Sequence, residues 1–111
     1  MPTLKEKKRY LAFEIVSKSK IKAFSEVSKA IWGAVLSYMG AYGSAKMGIW
    51  TIPETYNQQK QRGLIRVAHN QMDELKSSLT LIKSIEEQPV IIRSIGASGI
   101  LTKAQKNYIE V

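Results

Sequence analysis

The sequence of 111 residues contains no cysteine, one histidine and one aspartate. Without cysteine the chain can form neither disulfides nor thiolate nucleophiles, which is consistent with a cytoplasmic location. The sequence also lacks a run of roughly 18 apolar residues, so no membrane-spanning helix is predicted. Its charged N-terminus is followed by no apolar block of the kind that signal peptides contain. With 44% apolar residues, residues 1–111 are expected to fold as a single domain.

The scarcity of histidine, cysteine and aspartate bears directly on catalysis. A lone histidine at a strand end, His69, is typical of a turn or a surface hydrogen bond, and no nucleophile elbow accompanies it. A two-metal nuclease needs converging carboxylates. The adjacent pairs Asp73-Glu74 and Glu86-Glu87 would instead diverge by about 100° on a helix. We therefore predict no catalytic and no metal-binding residues. A free-standing nuclease stays open as a hypothesis, which magnesium-dependent cleavage by the pure protein would support.

Positive charge is abundant, since 17 basic residues against 9 acidic ones give a net charge of +8. Such an excess favours a polyanionic partner, above all nucleic acid, over a soluble protein whose charge has no partner. The charge is also clustered, because seven of the 17 basic residues fall between Lys5 and Lys22. Residues 1–9 are predicted to form a basic N-terminal arm that is either solvated or in contact with phosphates.

Alternating apolar residues in the first half of the chain predict a strand at Tyr10–Val16. The residues of its inward face are Leu11, Phe13 and Ile15. A helix should follow with Ser25 as N-cap, and it should end near Gly40 or Gly43, because glycine adopts the left-handed C-cap conformation at low cost. Met47–Ile52 then reads as a second strand, closed by a proline.

The second half of the chain repeats this order of elements. Arg62–Ala68 is predicted to be a strand, and Asn70 to be the N-cap of a helix that runs to about Glu86. The β-branched run Val90–Ile95 predicts the last strand. Thr102 has the spacing of an N-cap for a final helix. This order predicts an α+β fold, a ferredoxin-like or RRM-like βαββαβ sandwich: a four-stranded antiparallel sheet with helices packed on one face, plus a C-terminal helix.

Sheets of this kind bind single-stranded RNA through aromatic residues on their central strands. Here only Tyr10 offers a ring, and the RNP1 pattern is absent, so base stacking is not the predicted mode of binding. Arg66 and Arg93 would instead present guanidinium groups to phosphates, or one or both would pair with Glu14; the sequence leaves both possibilities open. The glycine-containing turn at Gly96–Gly99, near Arg93 and Lys103, would tolerate an anion.

Four stretches, in order, resemble the archaeal ribonuclease P protein component 2 family, which also occurs in eukaryotic ribonuclease P and its MRP relative. These stretches, which cover most of the chain, are LKEKKRYLAFEI (Leu4–Ile15), AIWGAVLSYMGAYGSAKMGIWTI (Ala30–Ile52), RGLIRVAHNQMDELKSSLTLI (Arg62–Ile82) and VIIRSIGASGILTKAQ (Val90–Gln105). The chain differs from many relatives in having Val67 where they carry a cysteine, and in a less basic final helix that ends in Glu110.

The resemblance implies a non-catalytic protein subunit of a ribonucleoprotein that removes the 5′ leader of precursor tRNA, with RNA as the catalyst. It implies no cofactor bound by the protein, because magnesium serves the RNA. The implied partners are the ribonuclease P RNA, precursor tRNA and protein component 3, in a possible homodimer or heterotetramer, and no membrane. The residues expected to contact RNA are Lys5, Lys7, Lys8, Arg9, Arg66, Arg93 and Lys103. The alternative is a ferredoxin-like protein-interaction or small-ligand module that does not depend on RNA.

Overall fold

The structure, a computed structural model, describes residues 7–110. The strands in this range are β1 (Lys8–Val16), β2 (Trp50–Thr51), β3 (Arg62–Ala68), β4 (Ser84–Ile85), β5 (Gln88–Pro89) and β6 (Ile91–Ser98). The α-helices are α1 (Phe24–Lys46), α2 (Met72–Leu79) and α3 (Leu101–Ala104). Single 3-10 turns lie at Pro53–Thr55 and His69–Gln71, and a π-helical turn at Gln105–Ile109 continues α3.

The sheet has the spatial order β2-β3-β1-β6, and every neighbouring pair in it is antiparallel. Strands β4 and β5 form a separate hairpin. Helices α1 and α2 pack on one face of the sheet, and α3 packs on the other, which we call the outer face. The predicted ferredoxin-like or RRM-like βαββαβ sandwich is confirmed, and the β4–β5 hairpin is an addition to it.

Strand β1 separates two cores, because successive side chains of a strand point to opposite faces. Leu11, Phe13 and Ile15 are buried against α1 and α2, as the alternation predicted. Other members of this main core, from α1, α2 and β3, are Val27, Ile31, Val35, Leu75, Leu79, Ile65 and Val67. At about 25 cal/mol per Å² of apolar surface, burial on this scale is the dominant favourable term in folding.

A second, smaller core holds α3 against the outer face. Its buried members are Ala12, Leu64, Ala104 and Ile109. The close approach of the helix depends on Gly96 in β6, because the Tyr108 ring occupies the space that a Cβ atom at Gly96 would take. Strand β6 therefore continues through Gly96 to Ser98, and the turn predicted at Gly96–Gly99 is wrong for its first three residues.

The N-terminal prediction needs one correction. Strand β1 begins at Lys8, not at Tyr10, because Lys8 and Arg9 pair in register with Ala68 and Val67 of β3. These two basic residues thus belong to the sheet and not to an arm. Lys5, which was predicted to contact RNA, lies outside the described residues.

Helix α1 is longer than predicted. It begins at Phe24 with Ala23 at the N-cap position, so the assignment of Ser25 as N-cap is wrong. It also continues past Gly40 to Lys46, with a kink at Gly40, whose φ of 73° and ψ of 172° are not helical. Glycine adopts this backbone conformation readily, which allows the chain to change direction and then resume a helix.

Helix α2 is shorter than predicted. It begins at Met72 behind the 3-10 turn, so Asn70 is not its N-cap, and it ends at Leu79 and not near Glu86. Glu86 and Glu87 have positive φ values of 52° and 65°, which turn the chain between β4 and β5. The apolar periodicity predicted a longer helix because two side chains beyond the end of α2 keep the helical spacing and are buried as well. These side chains are Ile82 and Ile85.

Two other predicted boundaries also change. Strand β2 keeps only Trp50 and Thr51 of the predicted Met47–Ile52, and the chain enters a 3-10 turn at Pro53. Helix α3 has Ile100 at its N-cap position, so Thr102 lies inside the helix.

The packing of Tyr108 on Gly96 leads to a first prediction. A Gly96→Ala substitution would force the methyl group into the Tyr108 ring, so α3 would have to shift. We expect a loss of about 1–3 kcal/mol in the free energy of unfolding, measured by urea denaturation. Gly99→Ala is the matched control, because a Cβ atom at Gly99 meets nothing within 4 Å. Equal stability of the two variants would show that α3 is not docked on β6 in this way.

Candidate nucleic-acid interface

The outer face presents rows of side chains that run across the strands. Directly opposite residues of an antiparallel pair project to the same face. The register places Trp50 of β2 opposite Arg66, Arg66 opposite Tyr10, and Tyr10 opposite Ser98 of β6. Trp50, Arg66 and Tyr10 therefore form one row at the end of the sheet where β1 begins. We call it the aromatic row.

Within the aromatic row, Arg66 lies over the indole of Trp50, with 5.6 Å between the guanidinium carbon and the ring centroid. This is a cation–π contact. Trp50 is 59% exposed even so, whereas Tyr10 is half-buried against the small core under α3. Arg66 is half-buried and forms no salt bridge within residues 7–110, and its Nε is buried there without a hydrogen-bond partner.

Basic residues at the start of β1 and immediately before it lie next to the aromatic row. Lys7, Lys8 and Arg9 line a surface depression together with His69 and Gly99. The backbone N–H of His69 donates to the carbonyl oxygen of Lys7, at 2.8 Å, and this hydrogen bond holds two of the residues that line the depression together.

The ammonium of Lys8 lies beside Gly48, two residues before Trp50 in the chain. We call Lys7, Lys8, Arg9 and Arg66 the basic end of the sheet.

At the opposite end of the outer face, one carboxylate is paired with the positive charges of two arginines. Arg93 donates from Nε and Nη2 to Oε1 of Glu14, at 2.8 and 2.5 Å, and Arg62 donates from Nε to Oε2, at 2.9 Å. The Glu14 side chain is only 14% exposed. The hydrogen bonds from Arg93, followed by the one from Arg62, lower the pKa of Glu14 against the opposing effect of burial. Arg62 also donates from Nη1 to the carbonyl oxygen of Tyr108 and so ties this cluster to the C-terminal helix.

The structure thus separates the residues that were predicted to contact RNA. Lys8 and Arg66 project to the outer face at the basic end, whereas Arg9 pairs with the inward-facing Val67 and so projects to the other face. Lys7, Lys8 and Arg9 share one surface depression. Arg93 pairs with Glu14 about 13 Å further along β1, at roughly 3.3 Å per residue. Lys103 is exposed on α3.

The sequence analysis missed two members of the outer face. Arg62 was not foreseen as the second partner of Glu14, and Trp50 was not weighed as an outer-face aromatic. Knowledge of the strand register would have revealed both, because it places Glu14 opposite Arg62 and Arg66 opposite Trp50.

The chemistry of this face suits the binding of anions. Within residues 7–110, no group of three or more histidine, aspartate or glutamate side chains is placed to hold a metal ion. Helices in the same range are too short or too polar to cross a membrane. The guanidinium and ammonium groups at the basic end donate hydrogen bonds and attract phosphates.

Comparison with known families gives a match to the Rpp14/Pop5 family over residues 9–109. The chain is 37% identical to "Ribonuclease P protein component 2" of Thermococcus gammatolerans, over 97% of this chain and 88% of that protein. It is 38% identical to the protein of the same name from Methanococcus vannielii, over 99% of this chain and 81% of that protein.

Among solved structures, the fold is similar to that of a chain in a cryo-EM structure of yeast ribonuclease MRP, with a TM-score of 0.66. The similarity covers 95% of this chain and 87% of the yeast chain. Sequence identity is 15%, so this likeness concerns the fold alone.

The ion-pair cluster at Glu14 leads to a prediction about pH. Glu14→Gln keeps the size of the side chain and removes its charge, so we expect a loss of about 1–3 kcal/mol in the free energy of unfolding near neutral pH. Because the folded-state pKa of Glu14 is lowered, its stabilising effect is complete above the ordinary value of 4.5 and is lost as the pH falls through the folded-state pKa. Urea unfolding of the two proteins should therefore converge in strong acid. A difference that stays constant with pH would contradict the cluster.

Proposed function

The chain belongs to the Rpp14/Pop5 family, and we infer from this that it is a protein subunit of ribonuclease P. One observation carries the inference: proteins named ribonuclease P protein component 2 are similar to it over nearly its whole length. Ribonuclease P is the ribonucleoprotein that removes the 5′ leader of precursor tRNA, so the expected setting of the chain is the cytoplasm.

We propose that the chain supplies no catalytic group and supports a catalytic RNA, whose phosphates hold the magnesium. Three of the carboxylates that the structure describes have structural roles. Glu14 accepts hydrogen bonds from two arginines. Asp73 and Glu74 lie in the first turn of α2, where the helix dipole stabilises negative charge.

The proposed RNA surface is the basic end of the sheet. Lys8 and Arg66 project to the outer face there, and Lys7 and Arg9 lie beside Lys8 around the start of β1. Glu14, an acidic residue of the outer face, is at the other end. Phosphate contacts of this type position an RNA without reading its sequence. They suit a folded RNA that is recognised by the shape of its backbone.

The proposed protein partner is component 3, and its surface is the side of the molecule away from the RNA. Trp32 and Leu36 lie one turn apart on α1 and are 38% and 48% exposed. Leu81, which is 47% exposed, follows α2 and lines a groove along α1. An exposed apolar stripe beside a groove is typical of a protein interface. A heterotetramer with component 3, or a homodimer of this chain, would cover it.

Reconstitution tests the function directly. Cleavage of precursor tRNA by the cognate ribonuclease P RNA should be measured with and without this chain and component 3, across a magnesium titration. We expect the two proteins to raise the rate or to lower the magnesium requirement, because added positive charge screens the RNA phosphates. Unchanged cleavage, with RNA binding that is weak and independent of salt, would favour the ferredoxin-like interaction module.

Two arginine variants sharpen this experiment because each removes one positive charge from the outer face. Arg66→Ala should weaken RNA binding and reduce the slope of log affinity against log salt by about 0.7–0.9, the value for one phosphate contact. Arg93→Ala is the comparison, since its charge is opposed by Glu14. An equal effect of both variants would place the RNA across the whole sheet and not at the basic end.

The partner surface gives a separate prediction. Leu36→Gln combined with Trp32→Gln should weaken binding of component 3 by about tenfold or more, because buried apolar anchors carry much of the energy of an interface. Binding can be measured by calorimetry with purified proteins. Tyr42→Gln is the control on the same helix, since Tyr42 is 78% exposed and lies beyond the kink at Gly40. Undiminished binding by the double variant would move the interface elsewhere.

A further inference from the structure

We propose that Trp50, oriented by Arg66, is a stacking site for one unpaired base of an RNA. This inference rests on the proposed function, because it assumes that RNA meets the outer face. It adds a mode of contact that phosphate binding alone does not provide. Charged residues hold the backbone, whereas an exposed aromatic ring accepts the face of a base that is free of its own pairing.

The first support for the inference is the exposed position of Trp50 on the sheet. Most large aromatic and aliphatic side chains of this sheet are inside one of the two cores, but the indole of Trp50 is 59% exposed on an edge strand. Covering such a ring with the face of a base would remove apolar surface from water and is favourable. Helix α3 covers the middle of the outer face and stops short of burying this ring.

The second support is the contact between Arg66 and the Trp50 ring. Its guanidinium lies over one face of the indole, 5.6 Å from the ring centroid. The contact favours one orientation of the ring, and the residue nevertheless stays 59% exposed. A ring whose orientation is favoured in advance loses less conformational entropy when a base stacks on it. Stacking also strengthens when the ring is sandwiched between a base and a cation.

The charges around Trp50 fit a nucleotide and not an apolar ligand. Lys8 projects from β1 to the same face as Tyr10, and its ammonium lies beside Gly48, close to Trp50 in the chain. The aromatic row itself contains no acidic residue. A base on Trp50 would therefore have cations within reach of its own phosphate. Trp50 and the half-buried Tyr10 lie two strands apart, or about 10 Å, so the site takes one base and not a continuous stack.

Fluorescence provides a direct test because the chain has only two tryptophans. In a Trp32→Phe variant, Trp50 is the sole reporter. The full chain would be titrated with an unstructured single-stranded RNA of about 12 nucleotides, within the usual site size for such binding, and with the same sequence as a duplex. We expect the single strand to quench Trp50 strongly and the duplex to leave it nearly unchanged. Saturation of the protein would be monitored by the fluorescence anisotropy of labelled RNA. If Trp50 is not quenched at saturation, the proposal is overturned.

Affinity variants give a second, independent measurement. Trp50→Leu should weaken binding of the single strand by about tenfold or more, the usual effect of losing one base–aromatic stack, and should leave duplex binding unchanged. Trp50→Phe should retain most of the affinity because a smaller ring still stacks. Tyr42→Leu is the matched control, because the Tyr42 ring is exposed and lies 4.5 Å from the ammonium of Lys46, but on α1 and not on the sheet. Equal losses for Trp50→Leu and Tyr42→Leu would overturn the assignment.

The stacking site and the proposed function fail in different ways. If only the stacking site is wrong, wild-type and Trp50→Leu proteins bind single strands equally, while the reconstituted enzyme still gains from the chain. If the proposed function is wrong, the chain gives no gain in precursor-tRNA cleavage, whatever happens to Trp50 fluorescence.

Discussion

The two-sided burial of strand β1 is the constraint on which the rest of the structure depends. β1 is a central strand, paired with β3 on one side and β6 on the other, so its register fixes the whole sheet. A shift of one residue would turn Leu11 and Phe13 towards solvent and bring Glu14 into the main core. The alternation of large apolar side chains with Ala12 therefore determines at once where α1 and α2 pack and where α3 is able to approach.

The surface that remains for a ligand follows from this packing. Helix α3 covers the middle of the outer face, through a small core that Ala12 and Gly96 make possible. Glu14 and its two arginines occupy one end, and Arg62 links that cluster to α3. Among the described residues of the outer face, the end at which β1 begins keeps cations and an exposed aromatic ring together. The candidate site thus lies on the part of the outer face that neither α3 nor the Glu14 cluster occupies.

The sequence allowed the sheet to be predicted better than the helix ends and the site. Strand β3 has the predicted bounds because β-branched residues and flanking polar residues are local signals. Helix α2 was predicted too long, since Ile82 and Ile85 keep a helical spacing while they enter the core from a loop and a hairpin. The partners of Glu14 and the contact between Trp50 and Arg66 depend on register between strands far apart in sequence, which local patterns do not contain.

Three arginines on the outer face show why composition alone does not locate an RNA site. Arg62, Arg66 and Arg93 project from the sheet with the same charge and the same hydrogen-bonding groups. Glu14 has two carboxylate oxygens, and the structure assigns one to Arg62 and the other to Arg93. Arg66 lies over the indole of Trp50, and no carboxylate among residues 7–110 pairs with it. Because a guanidinium without a carboxylate partner attracts a phosphate more strongly than a paired one, a single carboxylate determines which of the three arginines is best placed to bind an anion.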